Sequence, residues 1–96
     1  MIKALIVLLM TATPSMAAIT NCDEFADYGY GVMQMKHEGL SKNRIIRESG
    51  NNPITIIIAD AAFTYPTVKQ SRQQDQRMEF RFILKNACVR TDLFDD

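Results

Sequence analysis

Two cysteines, one histidine and a run rich in tyrosine and methionine are the residues of this 96-residue chain that could carry chemistry. Cys22 and Cys88 stand far apart. A redox pair uses close CxxC spacing, and a zinc site needs more ligands than two cysteines and one histidine. His37 follows Met35-Lys36 with no partner positioned by the sequence, so it reads as a surface residue near a helix end rather than a general base. The serines, at positions 15, 41, 49 and 71, lie in no GxSxG-type setting. Asp23, Glu24 and Asp27 could pair as carboxylates, but they fall in the first turns of a helix, where the macrodipole favours negative charge. Gly29 and Gly31 are not in a phosphate-loop context. The chain therefore reads as a non-enzyme that needs no cofactor or metal. In "YGYGVMQM", Tyr28, Tyr30, Met33 and Met35 point in several directions around a helix. Burial against neighbouring helices accounts for most of them. Tyr28, Tyr30 and Met33 are the candidate partner contacts, because Tyr and Met suit adaptable protein-binding surfaces.

What the cysteines do depends on where the chain goes. Met1-Ile2-Lys3 is a short basic start, Ala4 to Met10 is unbroken apolar sequence, and Pro14 is followed by Ser15-Met16-Ala17. This is the layout of a secretory signal peptide over residues 1–17, cleaved after Ala17. A retained spanning helix would need about 20 apolar residues. Lipidation of Cys22 would need a small residue directly before it, and Asn21 stands there. The short hydrophobic core behind a single Lys resembles Gram-negative leaders, which places residues 18–96 in the periplasm as one small domain. That compartment is oxidising, so two cysteines have one intramolecular pairing, Cys22 with Cys88. Closing so long a loop stabilises the fold by about 4 kcal/mol in the chain-entropy model. Eleven basic residues balance eleven acidic ones, and no basic run marks a nucleic-acid groove or a membrane-binding face.

The elements that must hold these residues read as helices. Asn21 and Glu24 form a capping box, and Cys22, Phe25, Ala26, Gly29, Val32 and Met33 recur at helical spacing. Gly29, on that stripe, lets another helix approach, and Gly39 ends the helix. Ser41 caps a second helix with Leu40 and Ile45 as its hydrophobic staple, and Gly50 closes it. Asn52-Pro53 opens a third. "ITIIIADAAFTY" is ambiguous: β-branched residues favour a strand, whereas Ile54, Ile57, Ile58, Ala61 and Tyr65 mark one helical face. After Tyr65-Pro66, Thr67 is expected to cap a long last helix. Its first half, "VKQSRQQDQR", is polar nearly all round and reads as solvated. Its second half conflicts again, since Met78, Phe80, Phe82 and Leu84 alternate like a strand while Phe80, Ile83, Leu84, Ala87 and Cys88 align on a helix. The preferred fold is all-α, a bundle of about four helices stapled by one disulfide. The alternative is α+β with strands at 54–58 and 78–84.

The leader, the early cysteine opening a helix, the "GLS" turn, the Asn-Pro start and the late cysteine together resemble the small exported two-cysteine helical proteins of proteobacteria and their phages. Proteins of similar build include spackle-type superinfection-exclusion proteins, periplasmic immunity proteins and acid chaperones of the HdeA type. The resemblance implies a periplasmic protein as partner and action by docking, as an inhibitor, immunity or exclusion factor. The alternative it implies is an acid or envelope-stress chaperone. The chain departs from that alternative in lacking lysine-flanked termini: it ends Leu93-Phe94-Asp95-Asp96.

Overall fold

A computed structural model describes residues 19–94, so the expected leader and its expected cleavage after Ala17 lie outside the described residues. Four helices follow in order: α1 (Cys22–His37), α2 (Lys42–Glu48), α3 (Pro53–Ala62) and α4 (Gln70–Thr91). No strand occurs among the described residues. Both ambiguous segments, 54–58 and 78–84, are therefore helical, and the α+β alternative falls.

Local chemistry explains most of the helix ends. Asn21 accepts from the Glu24 N–H at 2.9 Å. Glu24 Oε1 reaches back to the Thr20 N–H at 2.7 Å, one residue earlier than a standard capping box. Gly39, at φ +98°, takes the left-handed turn after α1. Ser41 accepts from the Arg44 N–H, with Ile45 buried and Leu40 half-buried as the expected staple. Asn52 accepts from the Ile54 N–H, and Pro53 sits at the first helical position. The start of α4 differs from expectation. The helix begins at Gln70 after Lys69, with no side-chain cap. Thr67 lies in the irregular segment that follows Pro66 and does not cap it.

Helices α1 and α4 lie antiparallel and make the main packing surface of the molecule. Phe25, Ala26, Val32 and Met33 of α1 meet Phe80, Leu84 and Cys88 of α4 in one core. Gly29 is a point of close approach: a Cβ there would collide with Leu84 Cδ1. The Cys22–Cys88 disulfide, with Cα atoms 5.6 Å apart, joins the start of α1 to the end of α4. Helix α3 also packs on α1 and buries Thr55, Ile58, Ala59 and Ala62. This is not the face expected from the large side chains, because Ile57 is 57% exposed. Small Ala59 and Ala62 form the buried stripe, and Thr55 is satisfied there by the Tyr28 hydroxyl at 2.9 Å. The short α2 contributes Ile45 to the core and is tied to α3 by Lys42–Asp60 at 3.0 Å.

Candidate functional site

The residues of "YGYGVMQM" do not form one exposed patch. Met33 is fully buried, so it is a core residue and not an accessible contact. Tyr28 is half-buried with its hydroxyl held by Thr55. Tyr30 is half-buried with the Arg77 guanidinium 5.6 Å from its ring centre, a cation–π geometry. The three candidate contacts thus face different neighbours, and Tyr30 joins a polar cluster instead.

That cluster occupies the junction of the α1 C-terminus with the first half of α4. His37 Nε2 lies 2.7 Å from Gln76 Oε1, and Arg77 Nη1 lies 3.1 Å from His37 Nδ1. A guanidinium only donates, so Nδ1 accepts from Arg77 and Nε2 carries the proton donated to Gln76. Gln76 is buried and donates from Nε2 to the Pro66 carbonyl at 3.0 Å. The polar half of α4 is therefore not wholly solvated: Gln76 pins the chain entering α4 to the end of α1. Arg77 Nε is buried there without a partner among the described residues. One residue before His37, the Lys36 ammonium donates to the Ala62 and Tyr65 carbonyls at 3.2 and 2.8 Å. Burial holds Lys36 below its ordinary value. Burial also raises the Tyr65 phenol, with the Glu79 carboxylate adding to the shift. These groups bond to one another and to backbone carbonyls, which makes the cluster a clasp between helices.

The acidic residues of the first turns of α1 have cross-helix partners. Asp23 meets Lys85 at 2.6 Å and Asp27 meets Arg81 at 2.6 Å, beside the disulfide. The hydrogen bond from Lys85 and then its charge hold the Asp23 carboxyl below the usual carboxylate range. Among the described residues no three His, Cys, Asp or Glu side chains gather as a metal site. None of the helices there is long and apolar enough to cross a membrane.

The feature missed in the sequence lies on the solvent side of α4. Phe82 is 66% exposed, Val89 61% and Met78 48%. Their spacing of four and seven residues puts them on one helical stripe, opposite the buried Phe80, Leu84 and Cys88. The alternating pattern Met78, Phe80, Phe82, Leu84 concealed it. Alternate residues of a helix lie on nearly opposite sides, so Phe80 and Leu84 face the core while Met78 and Phe82 face water.

Comparison with known proteins found no matching family model, no matching curated protein and no matching solved structure. The class that the fold defines is a small all-α bundle closed by one disulfide between its first and last helices.

Proposed function

We propose that this chain is an exported, non-enzymatic protein-binding module that acts in the periplasm after removal of residues 1–17. Its mode of action is docking, of the kind used by inhibitor, immunity or superinfection-exclusion proteins. The observation that carries this reading is the α4 stripe: Met78, Phe82 and Val89 are exposed on a helix whose opposite face is packed against α1 and whose end is bonded to it. A row of large apolar side chains kept in water along one helix face, unlike a single scattered one, marks a surface for a partner. The disulfide fits export to an oxidising compartment.

Oxidised protein purified after export should capture one stoichiometric partner from periplasmic extract at neutral pH, and Phe82→Glu should abolish the capture. Capture indifferent to Phe82→Glu would refute the docking face. Many clients bound only near pH 3 would support the chaperone instead.

A further inference from the structure

We infer that the α4 face takes a second copy of this chain, packed antiparallel, helix against helix. The inference rests on reading α4 as a protein-docking face and names what covers that face when the periplasmic partner is absent. The stripe runs Met78, Phe82, Lys85, Val89, with steps of four, three and four residues. Those steps read the same in both directions. Reversing one helix about a point between Phe82 and Lys85 sets Met78 against Val89 of the second copy at both ends. Phe82 then faces the alkyl stem of Lys85 of the second copy, a residue whose ammonium is held by Asp23 at 2.6 Å.

The rim supplies charge complementarity in the same register. Glu79 and Arg90 are charged α4 residues without an ion-pair partner among the described residues, whereas Arg72, Arg81 and Lys85 pair with Asp75, Asp27 and Asp23. By helical spacing both lie along one edge of the stripe. Antiparallel helices bring like edges together, so Glu79 of each copy lies two residues, about 3 Å along the axis, from Arg90 of the other in the register that the apolar pairs require, a gap that the two long side chains span. The symmetry is that of a two-fold, self-complementary interface. A membrane surface fits less well, because a lipid-binding helix is rimmed by Lys and Arg, whereas the rim here carries both signs, Asp75 and Glu79 beside Arg90. The apolar stripe spans only about 16 Å at a 1.5 Å rise per residue, so the pair belongs among small, weak interfaces.

Sedimentation equilibrium of oxidised, exported protein from micromolar to millimolar concentration tests this directly. The expected result is a mass that rises to twice the monomer's. Phe82→Glu should stay monomeric with an unchanged far-UV spectrum and melting temperature. Glu79→Arg and Arg90→Glu should each weaken association several-fold, and the double charge swap should restore it. That rescue is specific to a partner carrying the same two residues.

Monomer at all concentrations overturns the inference, as does a dimer indifferent to Phe82→Glu or a double swap that restores nothing. If the protein is monomeric but Phe82→Glu still abolishes capture of a periplasmic partner, the docking face stands and the second copy is the wrong occupant. If it is monomeric and capture ignores Phe82, both readings fall. Cosedimentation of a monomer with phosphatidylglycerol vesicles, lost in Phe82→Glu, would assign the face to lipid and also overturn the inference.

Discussion

At the scale of single residues, the two helical glycines of α1 should respond in opposite ways to the same substitution. Alanine is favoured over glycine within a helix by about 1 kcal/mol. At Gly31 nothing lies within 4 Å of the new methyl group, so Gly31→Ala should stabilise by roughly that amount. At Gly29 the methyl group would meet Leu84, itself buried, and overpacking costs about 1–3 kcal/mol. Gly29→Ala should therefore be destabilising by about 1 kcal/mol net, and urea unfolding of the pair measures both signs. Asp23 predicts a pH dependence. Its carboxyl titrates lower in the folded chain than in the unfolded one, so around and below pH 4 the unfolded chain binds more protons. The contribution of the Asp23–Lys85 pair is thus present above the ordinary carboxylate value and is lost as pH falls through the folded one. Asp23→Asn should flatten the slope of unfolding midpoint against pH in that window. The effect should be small, since the pair is exposed and screened by solvent.

Among the elements, α4 is held differently along its length. Its C-terminal half is fixed by the disulfide, two ion pairs and the Phe80–Leu84–Cys88 stripe. Its N-terminal half lacks a side-chain cap and relies on the Gln76 clasp to His37 and Pro66. Gln76→Leu keeps the volume but leaves the Pro66 carbonyl and the His37 N–H without that partner. A cost of about 1–2 kcal/mol is expected for losing such half-buried bonds. The faster amide hydrogen exchange that accompanies it should appear at residues 70–77 and not at 80–90. Uniform acceleration along α4 would show that Gln76 supports the whole fold rather than this end.

For the molecule as a whole, the disulfide closes 66 positions of chain around a core of only eleven buried apolar side chains among the described residues. Replacing both Cys22 and Cys88 by Ser should cost about 4 kcal/mol. In a domain of this size that corresponds to a melting temperature lower by roughly 15–30 °C, read by calorimetry. Intact-mass measurement on protein recovered from the periplasm should give a chain starting at Ala18 with a mass two hydrogen atoms below the reduced value. A chain starting at Met1, or a lipid mass on Cys22, would contradict the export reading.

Read alone, the residues determined whatever depends on near neighbours. Asn21, Ser41 and Asn52-Pro53 started their helices where expected, and Gly39 and Gly50 followed helix ends at positive φ. Each of these is an interaction within a few residues, which the local sequence specifies. The cysteine pairing was legible too, because two cysteines allow one intramolecular bond. Tertiary structure decided the rest. Helix over strand at 54–58 and 78–84 was undetermined locally, because both periods were present in the side chains. Packing against α1 resolved it, selecting Thr55, Ala59 and Ala62 over the larger Ile57. The same packing buried Met33 and Gln76 and left Phe82 in water. Whether a side chain is inside or outside depends on what lies across from it, and residues distant in the chain supply that neighbour.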